Sequence, residues 1–322
     1  MRYALVTGGL GLIGTFISKQ MVEQSIVDKV VCLDHFGRYV NSTRSDFQDH
    51  RRRRMEMLGE GVVIERGEAK YHSVITKILS TYRPEYIFHL AALPLAKLEN
   101  LNSEEALEGS VLSTTNLLES ISQLSQPKPF VKRFVYASSS MVYGDFQENP
   151  ATEEHQTNPK EIYGTMKLAG EAITRGLGTF HGIDFSIVRP SAVYGPTDMN
   201  RRVSQIFMEK AQRGEKLTIH GKDEALDFTY VKDIANGFVL AATKPEASKQ
   251  TFNITHGKAH TLVEFAEILK EFYPNLAYEV VERDEFRPRR GTLSIEKARH
   301  LLNYHPRYSL REGVRECLDS VK

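Results

Sequence analysis

Tyr163 and Lys167 bound the segment Tyr163-Gly164-Thr165-Met166-Lys167, a spacing that on a helix puts a phenol and an ammonium on one face. A cation beside a phenol favours the phenolate and pulls its pKa down from near ~10, so that it can take a proton from an alcohol. A second segment, Phe134-Val135-Tyr136-Ala137-Ser138-Ser139-Ser140-Met141-Val142-Tyr143-Gly144, reads as a strand ending in three serines. A hydroxyl there can hold the oxygen that loses its proton. Tyr-x-x-x-Lys pairs occur by chance in many helices, so this one gains weight only if a hydride acceptor is nearby.

The N-terminal residues supply a site for such an acceptor. The apolar run Tyr3-Ala4-Leu5-Val6 leads into Thr7-Gly8-Gly9-Leu10-Gly11-Leu12-Ile13-Gly14. A strand that turns at once into a helix presents free N–H groups and the positive end of the helix dipole, and only glycines let a pyrophosphate come close enough to use them. Gly8, Gly9 and Gly11 form the turn, Leu12 and Ile13 open the helix, and Gly14 lets it pack tightly on the sheet. Asp34 closes a second apolar run, Lys29-Val30-Val31-Cys32-Leu33. Its carboxylate can accept from both ribose hydroxyls and would repel a 2′-phosphate, so NAD is expected over NADP. Arg38 keeps NADP open. The positive nicotinamide ring would join Lys167 in favouring the Tyr163 phenolate while hydride leaves the alcohol carbon, and Lys167 would also fix the nicotinamide ribose.

These groups need a sheet to position them. Strands are expected at 2–7, 29–34, 62–66, 86–91, 131–138 and 184–189, separated by stretches long enough for helices, which implies an α/β fold with a Rossmann-type, doubly wound parallel sheet. After Pro190 the texture changes to short elements, with helices expected at about 200–213, 232–243, 261–272 and 294–302. This marks a smaller C-terminal α/β lobe. Residues 1–189, with 224–254 returning, form the expected dinucleotide domain, and 190–223 with 255–322 the expected substrate lobe. Thr261 and Glu264 read as a capping box, followed by a core-facing stripe of Leu262, Phe265, Ala266 and Leu269. Residues 36–61 are long for a loop and must hold a helix or a flap, and the run Arg51-Arg52-Arg53-Arg54 reads as a solvated helix face.

The 322 residues, 41% hydrophobic, are enough for one large unit or two domains, and 42 basic against 41 acidic side chains call for neither nucleic acid nor an anionic membrane. Cys32 and Cys317 make no disulfide framework, no apolar run is long enough to span a membrane, and the first strand begins at once. A cytoplasmic setting without a signal peptide is expected. The eleven histidines show no metal spacing.

Taken together, these motifs resemble the extended short-chain dehydrogenase/reductases, specifically the nucleotide-sugar epimerase/dehydratase family. Further landmarks are Phe88-His89-Leu90-Ala91-Ala92, Asn116-Leu117-Leu118-Glu119, Arg189-Pro190-Ser191-Ala192-Val193-Tyr194-Gly195-Pro196, Asp227-Phe228-Thr229-Tyr230-Val231-Lys232-Asp233, and Lys297-Ala298 with Leu301-Leu302. The resemblance implies resident NAD, a nucleoside-diphosphate sugar in the smaller lobe, and a homodimer through two helices of the large lobe. It puts Leu90, Ala91 and Ala92 beside the cofactor, with Glu68 and its neighbour Ala69 near adenine, and makes Ser139 the catalytic serine. His89 is expected to pack under the cofactor.

The two positions after that serine, Asp-Glu in the 4,6-dehydratases and ending in Glu in UDP-glucuronate decarboxylases, are here Ser140 and Met141. Neither can readily protonate a departing hydroxyl, which disfavours dehydration. The Ser-rich form resembles the 4-epimerases, acting on a UDP- or GDP-linked hexose or a related sugar. Leu226, Ala192 and Ser110 replace the family's usual Arg, Asn and Asn, so substrate contacts must be partly rebuilt. Candidates for a diphosphate are Arg201, Arg202, Arg287, Arg289 and Arg290, whose guanidinium forks match phosphate oxygens. A 4-dehydrogenase releasing the ketone and a non-catalytic NAD-binding protein remain the alternatives.

Overall fold

The computed structural model describes residues 1–37, 47–92, 103–125, 129–200 and 202–320. Arg38 and Arg201 lie outside them. Seven strands make one parallel sheet: β1 (Tyr3–Thr7), β2 (Lys29–Asp34), β3 (Val62–Arg66), β4 (Tyr86–His89), β5 (Arg133–Ala137), β6 (Phe185–Pro190) and β11 (Gln250–Ile254). Their order is β11-β6-β5-β4-β1-β2-β3. The chain builds outward from β1 to β3, then returns to β4 on the other side of β1. That reversal opens a crevice at the carboxyl ends of β1 and β4, where such sheets bind ligands.

Successive β1 residues face opposite layers. Ala4 and Val6 pack with α1 (Leu12–Glu23) and α8 (Val231–Thr243), and Leu5 packs with α3 (His72–Tyr82) and α5 (Ser113–Leu124). Helix α2 (Phe47–Leu58) follows β2. Helix α4 (Ser103–Ala106) runs through a π-helical stretch, Leu107–Leu112, into α5, and α6 (Ile162–Phe180) covers the same side. Past β6 come β7 (Val193–Tyr194), α7 (Val203–Gln212), β8 (Leu217–His220), β9 (Ala225–Leu226), β10 (Thr229–Tyr230), β12 (His260–Thr261), α9 (Leu262–Phe272), β13 (Tyr278–Val281), α10 (Glu296–Leu302) and α11 (Leu310–Asp319). Their side chains, among them Phe207, Phe228 and Phe265, continue the core that lies under α1. No described helix is long and apolar enough to cross a membrane.

Six sheet strands fall where the sequence reading puts them, β4 ending at His89 rather than at 91. The seventh, β11, was not among them: its polar Gln250, Thr251 and Asn253 interrupt the apolar run by which buried strands are recognised. Asn253 is fully buried and donates to the Ala151 and Ser294 carbonyls, both at 3.2 Å. The capping box is present, with Thr261 Oγ1 and Glu264 exchanging bonds with each other's N–H groups.

The reading of Arg51–Arg54 as a solvated face is corrected. Arg52 and Arg53 are exposed, but Arg51 and Arg54 are buried, because residues three apart share one side of a helix and that side of α2 faces the protein. Arg51 donates to the Phe36 and Gly37 carbonyls at 2.8 and 2.9 Å.

Beneath the crevice lies a buried ion pair. Arg189, at the end of β6, donates from Nε and Nη2 to the two oxygens of Glu171 on α6, at 2.8 and 2.7 Å. Glu171 also accepts from Ser138 Oγ at 2.5 Å and from Arg175 at 3.1 Å. Arg189 Nη1 donates to Tyr143 Oη at 3.0 Å, and Tyr143 donates to Asn253 at 2.7 Å. One carboxylate thus joins the ends of β5 and β6 to α6. Replacing Glu171 by Gln leaves Arg189 buried without its counter-charge, and we expect a loss of about 3–5 kcal/mol of unfolding free energy. Denaturant unfolding measures it, and a loss under about 1 kcal/mol would contradict this role.

Candidate active site

The glycine turn follows β1 at the crevice. Gly8 has φ +68°, and a Cβ on it would stand 3.2 Å from the Ala91 nitrogen; one on Gly14 would stand 2.6 Å from the Gly8 carbonyl oxygen. Backbone therefore occupies the space of side chains on both sides of the turn. Gly11 is the N-cap of α1 and provides no side-chain cap, and the first turn holds no acidic residue, so the Leu12, Ile13 and Gly14 N–H groups are presented to a ligand. This cradle suits a pyrophosphate.

Asp34, at the end of β2, is 7% exposed. Burial pushes its carboxyl up, but hydrogen bonds from the His35 ring, the Phe36 N–H (2.9 Å) and the Leu10 N–H (3.1 Å) prevail and hold it below the usual range. It is an ionised acceptor beside the turn, as a ribose diol requires. The donor set fits NAD. Leu90 and Ala91 donate to the Thr7 carbonyl and Thr7 Oγ1, both at 3.2 Å, which pins the chain after β4 against the turn and carries Ala92 with it. Ala69 is buried, whereas Glu68 is partly exposed and ion-paired with Lys70 at 3.2 Å.

His89 is buried between Thr7 Oγ1 at 2.7 Å and Thr114 Oγ1 at 3.1 Å, and burial, with the Lys167 charge, pushes its pKa down to about 3. It is a neutral packing group. Ser139, Tyr163 and Lys167 are brought together by the fold. Ser139, in extended backbone after β5, caps the short 3₁₀ turn Ser140–Tyr143 by accepting from the Met141 N–H at 3.2 Å. Tyr163 sits in the first turn of α6, near enough to Ser139 for the serine hydroxyl to favour its phenolate. Gly164 makes that approach feasible, since a Cβ there would stand 2.5 Å from the Met141 carbonyl oxygen. Lys167 Nζ donates to the Ala137 carbonyl at 2.6 Å and lies 5.9 Å from the Tyr163 ring centroid.

The expected electrostatics need correcting. Burial raises the Tyr163 phenol, and the cation that opposes this is Arg202, with the Ser139 hydroxyl assisting. Lys167 is itself pushed down to about 7 by burial. Lowering the phenol therefore takes more charge than Lys167 brings alone.

The arginine candidates separate. Arg202 caps α7 and its field reaches both Tyr163 and Arg290. Arg290 Nη1 lies 3.6 Å from the Met141 sulfur, and its Nε is buried with no hydrogen-bond partner. Burial pushes its pKa down to about 10, opposed by Glu161, the N-cap of α6. An unpartnered buried guanidinium donor beside the Met141 turn suits an anionic substrate. Arg287 and Arg289 are exposed, and Arg287 is paired with Asp284 at 3.0 Å, although its charge still reaches Glu161 and Arg290. Ser140 is 2% exposed in the turn after Ser139. The sequence reading missed Glu161, two residues before Tyr163, and the Glu171–Arg189 pair; no local pattern marks either.

The Lys167 shift predicts a pH dependence. Its folded pKa lies below the unfolded value of 10.5, so the folded state binds fewer protons and stability rises with pH between about 7 and 10.5, by at most ~1.4 kcal/mol per unit from this group. Lys167→Met should remove that rise in denaturant unfolding measured across the interval. An unchanged pH profile would show that the ammonium is not held in a desolvated site.

Residues 4–255 match the model of the NAD dependent epimerase/dehydratase family. UDP-glucuronate 4-epimerase 6 of Arabidopsis thaliana is 29% identical over 265 residues, which are 80% of this chain and 55% of that protein. The chain thus spans about half the length of that relative. UDP-glucuronic acid decarboxylase 3 of the same organism is 28% identical, covering 96% of this chain and 86% of that protein. A UDP-glucose 4-epimerase of Thermotoga maritima, solved with UDP-glucose, superimposes with TM-score 0.84 and 26% identity over 99% of this chain and 98% of its own.

Proposed function

Since the chain belongs to the NAD dependent epimerase/dehydratase family, we propose that it is a nucleotide-sugar 4-epimerase acting on a UDP-linked hexose or hexuronate. The observation that carries the reading is the Ser139–Tyr163–Lys167 group beside a turn where Ser140 and Met141 leave no carboxylate. NAD, when bound, supplies the hydride acceptor and donor. Ser139 holds the C4 oxygen, and Tyr163 takes its proton as the carbon is oxidised. Arg202, whose charge already opposes the rise of the phenol, acts with Lys167 and the positive nicotinamide ring to lower it enough for that role. After the 4-ketone turns its other face to the cofactor, Tyr163 returns the proton. Arg202 and Arg290 hold the diphosphate, with the unpartnered Arg290 Nε as a donor.

Against a decarboxylase reading, Met141 stands where the resemblance places Glu, and a thioether cannot do the acid–base work of a carboxylate. The reading includes a cytoplasmic enzyme and a homodimer through helices of the large lobe, where Leu107 and Leu112 are 47% and 41% exposed.

Proton NMR of NAD-loaded protein with UDP-glucuronate or UDP-glucose tests the proposal. One of the two should give a mixture of C4 epimers with no ketone and no loss of carbon dioxide. Tyr163→Phe should retain the dinucleotide and lower kcat by about 10²–10⁴-fold. Accumulated 4-ketone would instead indicate a dehydrogenase, and a pentose product a decarboxylase.

A further inference from the structure

Arg54 is 1% exposed and joins two loops that belong to different parts of the site. Its Nη1 donates to the Leu10 carbonyl at 2.8 Å, inside the glycine turn. Its Nε donates to Thr197 Oγ1 at 3.0 Å and its Nη2 to the Thr197 carbonyl at 2.6 Å. Leu10 is gripped from its other side by Asp34 through its N–H. Thr197 has φ +67°, a left-handed conformation that is strained for a β-branched residue and persists only where neighbours enforce it. The chain from Thr197 leads to Arg202, whose charge reaches Tyr163.

We propose that Arg54 is a positioning residue that couples the dinucleotide turn to the substrate loop, so that cofactor and sugar nucleotide each tighten the other's binding. The inference rests on the functional reading above. A dinucleotide on the α1 N-terminus fixes the turn and with it the Leu10 carbonyl. That carbonyl fixes the guanidinium, and the guanidinium fixes Thr197 and the start of the loop to Arg202. Whichever ligand binds first orders the loop that the second would otherwise have to order, which makes the coupling reciprocal. The planar fork is needed because it reaches two carbonyls and a hydroxyl at once; a lysine ammonium cannot span them.

Calorimetric titration of UDP into the protein, stripped of NAD and saturated with NAD, tests this. NAD should tighten UDP by at least about fivefold in the wild type, and UDP should tighten NAD by the same factor. In Arg54→Lys the factor should fall below about twofold, while Arg53→Lys, its exposed neighbour, keeps the wild-type value. Thr197→Gly accepts the same backbone conformation without strain and removes the hydroxyl, so it should also lower the factor; it decides the matter if Arg54→Lys does not fold. A wild type without coupling, or an unchanged factor in both variants, would overturn the proposal. A wild type that binds neither NAD nor UDP would overturn the functional reading, and this inference with it.

Discussion

One buried carboxylate, Glu171, holds the catalytic edge of the sheet together. Ser138, the residue before Ser139, donates to it from the end of β5, and Arg189 pairs with both its oxygens from the end of β6. Glu171 itself stands on α6, two turns beyond Tyr163 and one beyond Lys167. Desolvating this pair is costly, and the extra bonds from Ser138, Arg175 and Tyr143 are what offset it. What the arrangement secures is geometry: a hydroxyl, a phenol and an ammonium are fixed relative to one another by groups that take no part in the chemistry.

The cofactor side is built on another principle. Glycines clear the way for a pyrophosphate, an uncapped helix end presents N–H groups to it, and Asp34 is already ionised and oriented by backbone donors. The electrostatics of the proton-transfer side follow from burial. The phenol is raised and Lys167 is lowered, because both side chains are desolvated. Tyr163 is therefore a poor base until further positive charge arrives.

Much of this was legible in the sequence because it is local. The turn at Gly8–Gly14, Asp34, six of the seven sheet strands and the Tyr163–Lys167 spacing are written in adjacent residues. What was not legible depends on which way a side chain faces. Four consecutive arginines look alike until α2 is packed, when Arg51 and Arg54 turn inward and Arg52 and Arg53 outward. Arg287 and Arg290, three residues apart in an irregular loop, go to Asp284 and to the Met141 sulfur respectively, with no periodicity to separate them. The opposing effect of burial on Tyr163 and Lys167 went unread because spacing reveals the neighbouring lysine but not the desolvation of the packed site. Strand β11 went unread because its polar residues are satisfied by partners 41 and 102 positions away.

The central claim is that hydride leaves and returns to one carbon within a closed site. Its most direct test is to supply the UDP-sugar bearing deuterium at C4, in ordinary water, and follow the label by mass spectrometry and NMR. The account predicts that the epimerised product keeps its deuterium at C4 and gains no solvent hydrogen on carbon. Loss of the C4 label, or solvent hydrogen at C5, would contradict it and point instead to an exchanging cofactor or to proton abstraction from carbon.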